Sequence, residues 1–227
     1  MEVISIIIAE AALETVPSEI SGHPAVISSS KVRGKHWSEI LLDVSLHYSA
    51  MKKLQNRSKR GRPDIIHTTL LEVLSSPLNL EGHLNLYIHT VNDYVIFIDP
   101  TTRIPRNYLR FVGLIEQLFK YGQVPPQSAK PLMSIKNLSY SNLLRTLDRD
   151  KVIVLSEEGE YRDCETICRL ALREDLPIVI GGFPHGDFRE DIYESGKYVF
   201  SIYKRSLDTW VVSSRVMSGC EKVLGII

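Results

Sequence analysis

Apolar and polar positions along this chain fall into two alternating periods, and the switches between them mark out the elements. Val3 to Ala9, VISIIIA, is an unbroken β-rich run of strand length, which predicts a buried strand opening a sheet. Glu10 to Ile20 reads as a short helical piece interrupted at Pro17. Ala25 to Ile27 reads as a short strand, followed by the serine run 28–30 and a linker carrying Lys31, Arg33 and Lys35. From Ser38 to Gln55 the apolar residues Ile40, Leu41, Val44, Leu46, Tyr48, Met51 and Leu54 recur at helical spacing behind a serine cap. Ile65, Ile66, Leu70, Leu71, Val73 and Leu74 predict a second helix, entered at Pro63 and stopped before Pro77. Leu84 to Thr90 and Tyr94 to Ile98 alternate as two strands joined across Val91, Asn92 and Asp93, which predicts a hairpin.

The second half repeats the switch in regular order. A helix from Pro105 through Tyr121 is followed by Gly122 to Lys136, whose prolines and polar residues read as a surface loop and the most boundary-like stretch. Then come a helix over Tyr140 to Leu147, a strand over Lys151 to Leu155, a helix over Cys164 to Arg173 and a strand over Pro177 to Ile180. A glycine loop, a strand over Tyr198 to Tyr203 and a helix from Asp208 to Val223 complete the chain. Alternation of this kind predicts an α/β fold, a mainly parallel sheet flanked by helices, in a single domain over residues 1–227. No internal repeat is found.

Composition narrows the class. Of 227 residues 44% are hydrophobic and 24% charged, with 27 basic against 27 acidic side chains, which is the balance of a globular protein with one full core. No apolar run reaches membrane-spanning length and no cleavable leader is evident, so the expected location is cytoplasmic, without a membrane partner. The three cysteines, Cys164, Cys168 and Cys220, read as core thiols of a reduced compartment, and no metal is expected.

Against that neutral background, RSKRGRPDIIH stands out. Arg57, Lys59, Arg60 and Arg62 crowd ahead of Asp64, and focused positive charge in a neutral protein points to a specific anionic partner. Pro63 suits a first helical turn, where Asp64 meets the positive end of the helix dipole. A second cluster, TTRIPRNYLRF, places Arg106 and Arg110 on one face of the helix from Pro105, with Arg103 just before it. His67, one turn after Asp64, reads as a packing or hydrogen-bonding residue.

Ligands of parallel sheets bind where strands end. The exits here are Leu155 to Gly159, Gly181 to Gly186 (GGFPHG), and Lys204 to Leu207. GGFPHG lacks the lysine and hydroxyl residue of a phosphate loop and does not match GxGxxG. HExxH and GxSxG are absent too, so zinc-peptidase and serine-hydrolase chemistry have no foothold.

RGRPDIIH, LYIHT, TTRIPRNYLRF, GGFPHG and SIYKRSL, in that order, closely resemble the ribosomal RNA pseudouridine N1-methyltransferase family of the SPOUT class, in its compact archaeal form. The resemblance runs from about Glu2 to the end. It implies a SPOUT-type α/β knot with a C-terminal trefoil knot, S-adenosylmethionine as cofactor, S-adenosylhomocysteine as product, and a homodimer. It also implies RNA-binding elements over about 57–121 and a cofactor-binding region over about 150–227. Carried over by position, the cofactor pocket comprises Leu155, Gly181, Gly186, Ile202, Tyr203, Lys204, Arg205, Ser206 and Leu207. Arg62 meets the target nucleotide with Asp64 holding it, and Arg60, Arg62, Arg103, Arg106 and Arg110 contact RNA. Some family members carry a lysine at the position of Asp187 and asparagine, tyrosine and proline at 204–206, so backbone rather than side-chain contacts are expected there.

Elementary chemistry agrees with these roles. Work on a base requires that it leave its stack, and arginine is permanently charged, forks onto oxygen pairs and stacks on bases. Beside several arginines Asp64 stays ionised, which favours an orienting role over that of general base. The expected function is therefore N1-methylation of a pseudouridine in small-subunit ribosomal RNA, with a role in small-subunit biogenesis and ribosomal assembly proteins as further partners. The rival expectations are an RNA-binding assembly factor with secondary or absent catalysis, and a SPOUT enzyme acting on transfer RNA.

Overall fold

The computed structural model describes residues 2–227. Its first strand, β1 (Ile4–Ala11), lies inside the sheet, as its uninterrupted apolar run requires. Ile4, Ile6 and Ile8 point into one core and Ile7 and Ala9 into the other, the period of two that lets one strand serve both faces. β1 bulges between Ile8 and Ala11, where Glu10 takes φ 51°, a left-handed conformation uncommon for any residue but glycine.

Residues 10–56 depart from expectation. Glu10 to Ile20 holds only a 3-10 turn, Ser18–Ile20, since Glu10 and Ala11 still belong to β1. Ala25 to Ile27 is not a strand: it lies in helix α1 (Pro24–Arg33), which also absorbs the three serines. Local signals explain the reversal. The His23 ring nitrogen accepts the Ala25 N–H at 3.2 Å, Pro24 occupies the first turn, and Gly34 closes the helix at φ 60°. The helix expected from Ser38 begins instead as α2 (Val44–Met51), because Asp43 rather than Ser38 supplies the cap, accepting from the Ser45 N–H at 2.8 Å. α1 and α2 share a small core of their own around Val26, Ile40, Leu42 and Met51.

From there the pattern is followed closely. α3 (Pro63–Leu74) and a short α4 (Pro77–Leu80) precede β2 (Leu84–Thr90) and β3 (Tyr94–Ile98), which pair antiparallel as the hairpin expected. α5 (Tyr108–Tyr121) starts three residues later than Pro105, because the Asn107 side chain accepts the Arg110 N–H and caps it there. The expected loop over 122–136 contains β4 (Gln123–Val124) and most of β5 (Met133–Asn137); β5 pairs with β3, so the chain does not divide there. α6 (Tyr140–Thr146), β6 (Val152–Tyr161), α7 (Cys164–Glu174), β7 (Ile178–Gly181), α8 (Glu190–Ser195), β8 (Gly196–Ser201) and α9 (Thr209–Val223) follow.

Among the described residues the eight strands form one sheet in the order β4-β5-β3-β2-β1-β7-β6-β8. The run β2-β1-β7-β6-β8 is parallel and the far edge antiparallel, which makes this an α/β protein with a mainly parallel sheet flanked by helices. α3, α5, α7 and α9 build the main core on one face, while α6 and α8 cover the other. Cys168 and Cys220 are buried in the main core and Cys164 half-buried at its margin. No described helix is long and apolar enough to cross a membrane.

β6 continues past the sheet in an unusual way. Leu155 and Glu160 both pair with Phe200, so residues 156–159 loop out and the strand returns across the end of β8. Gly159 permits this, since a Cβ there would fall 2.5 Å from the Phe200 carbonyl carbon. After β8 the chain doubles back towards β7, where the Thr209 hydroxyl donates to the Gly181 carbonyl at 2.7 Å.

Candidate functional site

The exits of β6, β7 and β8 enclose a cavity of about 850 Å³, within the range of small-molecule sites. Three segments wall it, at 155–158, 180–188 and 201–212, with Arg62 and Ile65 closing one side. Leu155, Gly181, Gly186, Ile202, Tyr203, Arg205, Ser206 and Leu207 all line it. Of the residues expected here, Lys204 does not: it stands exposed, outside the wall. Leu155, Ile180, Ile202, Leu207 and Trp210 supply apolar surface, while Glu157, Glu158, Asp187 and Asp208 bring carboxylates to the same space. A wall of this kind suits a flat heteroaromatic ring joined to a positively charged group.

The glycine loop is shaped by contacts that side chains would obstruct. At Gly181 a Cβ would lie 3.1 Å from the Phe183 ring, and Gly186 takes φ 101°, which L side chains rarely adopt. Tyr193 holds Asp187 at the cavity rim by a hydrogen bond. Burial, then that bond, pushes the Tyr193 phenol up to about 12, so it remains a donor.

Gly61 separates two arginines with different fates. At φ 67°, a conformation that L side chains rarely adopt, it turns the chain sharply between them. Arg60 goes inward, where Nε and a terminal amine each reach a Glu14 carboxylate oxygen at 2.6 Å; Glu14 is 2% exposed. Arg60, expected at the RNA, is thus committed to a buried partner. Arg62 goes outward as the residue before α3 and reaches Asp64 at 2.8 and 2.7 Å, a fork on both carboxylate oxygens that raises the arginine pKa further. The Arg62–Asp64 pair is 31% and 47% exposed. Pairs this open stabilise a fold by about 1 kcal/mol or less, so its main consequence is to hold the guanidinium in one orientation at the cavity.

The second arginine cluster is brought alongside. His67 donates to the Pro105 carbonyl at 2.8 Å and stacks on Phe111 at 4.5 Å, the packing and hydrogen-bonding role expected of it. Tyr108 donates to Asp43 at 2.5 Å, and burial followed by that bond raises its pKa. Asp43 caps α2, and the next residue's N–H donates to the Gly61 carbonyl at 2.8 Å, so the start of α5 and the Arg60–Arg62 turn share one scaffold. Arg103, Arg106 and Arg110 are exposed, and none has a carboxylate partner among the described residues. Because α5 begins at Tyr108, Arg106 lies in the approach to the helix and does not share a helical face with Arg110.

The sequence pattern of the EMG1/NEP1 methyltransferases matches residues 6–221. The chain belongs to that family. The ribosomal RNA small subunit methyltransferase Nep1 of Staphylothermus marinus is 52% identical over 226 residues, spanning 100% of this chain and 98% of that protein. Its namesake in Saccharolobus solfataricus is 46% identical, covering 98% of each. A crystal structure of Archaeoglobus fulgidus Nep1 bound to S-adenosylhomocysteine superposes with a TM-score of 0.86 at 36% identity, covering 99% of this chain and 100% of that one.

Membership of the EMG1/NEP1 family does not itself pick out the residues that sequence reasoning passed over here. Glu10, Glu14, Asn92 and Arg189 form a polar cluster under the site: Asn92 donates to Glu14 at 2.7 Å, and the Arg189 backbone N–H to Glu10 at 2.8 Å. Their only signal was two acidic residues, in AEAALE, directly behind a buried strand. Trp210, Val211 and Val212 reach the cavity from the first turn of α9, a contact no linear pattern reports.

Proposed function

We propose that this protein methylates N1 of a pseudouridine in small-subunit ribosomal RNA, using S-adenosylmethionine. The observation that carries the reading is the placement of the Arg62–Asp64 fork on the rim of the strand-exit cavity, where a base presented by RNA meets a cofactor held within. The naming of the relatives and the S-adenosylhomocysteine in the Archaeoglobus fulgidus protein support it.

The cavity fits the cofactor. Apolar Leu155, Ile202, Leu207 and Trp210 suit an adenine ring, Gly181 and Gly186 let backbone approach it, and the carboxylates favour its cationic end. When bound, S-adenosylmethionine supplies an electrophilic methyl carbon. Methylation replaces the N1–H bond by an N1–C bond while the bond from that carbon to sulfur breaks and S-adenosylhomocysteine leaves, so negative charge builds on the ring as the proton departs to solvent. Arg62, oriented by Asp64 at the cavity rim, is the group assigned to stabilise that charge. Asp64 serves as orienter. Arg103, Arg106 and Arg110 bind RNA phosphates or stack on bases of a single-stranded loop.

Residues 57–121 act as the RNA side and 150–227 as the cofactor side of one domain. The doubling back of the chain under the looped end of β6 supports a trefoil knot there. Further parts of the reading are a homodimer, a cytoplasmic location and contact with ribosomal assembly proteins. The test is methyl transfer from labelled S-adenosylmethionine to two hairpin RNAs that differ only in carrying uridine or pseudouridine in the loop. Label on the pseudouridine hairpin alone is expected; tight binding of both with transfer to neither would replace the reading with that of an assembly factor.

A further inference from the structure

One short run, Ala9–Glu14, gathers two of the loops at the cavity, the glycine loop and the basic loop. The Gly182 N–H donates to the Ala9 carbonyl at 2.8 Å, and the Ala12 N–H returns to the Gly182 carbonyl at 2.9 Å. At the other end of the glycine loop, the Arg189 N–H donates to Glu10 Oε2 at 2.8 Å. The loop is therefore pinned at both ends to the same strand exit. The basic loop is pinned there too: the Arg62 N–H donates to the Ala12 carbonyl at 3.0 Å, and Lys59 Nζ donates to both Glu10 oxygens at 3.1 and 3.2 Å.

Lys59 does more than neutralise a buried carboxylate. Its ammonium sits 4.5 Å from the centre of the Phe183 ring, and its Cε would be 3.1 Å from a Cβ on Gly186. Phe183 and Gly186 line the cavity, whereas Lys59 and Glu10 do not. Glu10, buried and in a left-handed conformation at a bulge, is thus the common anchor of two loops that face different ligands.

We propose that Glu10 and Lys59 are positioning residues that couple the two sites, so that cofactor in the cavity tightens RNA on the arginines and RNA tightens cofactor. This rests on the methyltransferase reading given above. An occupied cavity fixes Phe183 and Gly186, which fixes the face against which Lys59 packs. Lys59 fixed on Glu10 holds the turn that aims Arg62. Linkage makes the effect reciprocal.

The coupling is read by titrating S-adenosylhomocysteine with and without saturating pseudouridine hairpin, and the hairpin with and without S-adenosylhomocysteine. In the unaltered protein each ligand is expected to tighten the other about tenfold. Lys59→Met should bring both ratios to within about twofold of one and lower kcat more than it raises KM for RNA. Lys59→Arg should restore them, since a guanidinium forks onto Glu10 and stacks on Phe183. Glu10→Gln, which keeps an acceptor for the Arg189 N–H, gives the same loss without relying on the lysine variant's fold. Because the readout is a ratio, a plain phosphate contact by Lys59 would leave it unmoved. Binding of both ligands without coupling, or coupling that survives Lys59→Met and Glu10→Gln, overturns the inference alone. Failure of the unaltered protein to bind either ligand overturns the methyltransferase reading and this inference with it.

Discussion

The cavity wall at 155–158, 180–188 and 201–212 is made of backbone turns and apolar side chains with carboxylates set among them, whereas the face beside it consists of guanidinium groups standing in solvent. The first is held by the sheet itself, because each segment leaves a parallel strand at the same end. The second is held by side-chain bonds: Asp64 on Arg62, Asp43 on Tyr108, His67 on the Pro105 carbonyl. A pocket built from strand exits is set largely by the backbone, while on the charged face the orientation of Arg62 depends on a side-chain partner of its own. Arg62 alone belongs to both regions.

That contrast is sharpest between Arg60 and Arg62, two positions apart. Arg60→Ala leaves the Glu14 carboxylate buried without its fork and is expected to cost about 3–5 kcal/mol of unfolding free energy in urea titrations. Arg62→Ala should cost less than about 1 kcal/mol in the same titration. Its effect falls on chemistry: a fall in kcat of about 100-fold or more, with S-adenosylhomocysteine affinity within about twofold. Equal stability losses for the two variants would dissolve the distinction between anchor and working residue.

Smaller effects test the open face. Alanine at Arg103, Arg106 or Arg110 should each lower the slope of log affinity against log salt by about 0.7 for a single-stranded loop, with cofactor affinity unchanged. An unaltered slope would remove that arginine from the phosphate contacts. The smallest effect concerns the polar layer under the site. Burial lowers the pKa of His89 and of His47 below the ordinary 6.5. The unfolded chain then takes up protons first as pH falls, so stability is full above about pH 6.5 and declines below it. Urea midpoints at pH 7.5 and 5.5 should differ in this direction, and less so in His89→Gln.

Much of the fold was legible in the sequence. VISIIIA, LYIHT with YVIFI, and KVIVL with PIVI carry strand patterns strong enough to give the sheet and its mainly parallel order. What escaped was set by local capping or by distant pairing. α1 was hidden because His23 and Gly34, not apolar period, define it, and β5 because MSIKN becomes a strand only by lying against β3. At the site, the strand-exit residues follow from topology and Arg62 with Asp64 from the resemblance. Arg60 could not be told from its neighbours, since Glu14, the residue that claims it, is 46 positions away. Glu10 is no more visible in the sequence, its role depending on two loops meeting at one carboxylate.

On the proposed reading Asp64 aims Arg62 at the base and takes no proton itself. Turnover and RNA affinity measured together in Asp64→Asn decide between the two roles. Measurable methylation with weakened RNA binding and unchanged affinity for S-adenosylhomocysteine is the predicted result; abolished turnover with RNA binding intact would contradict it and make Asp64 the base.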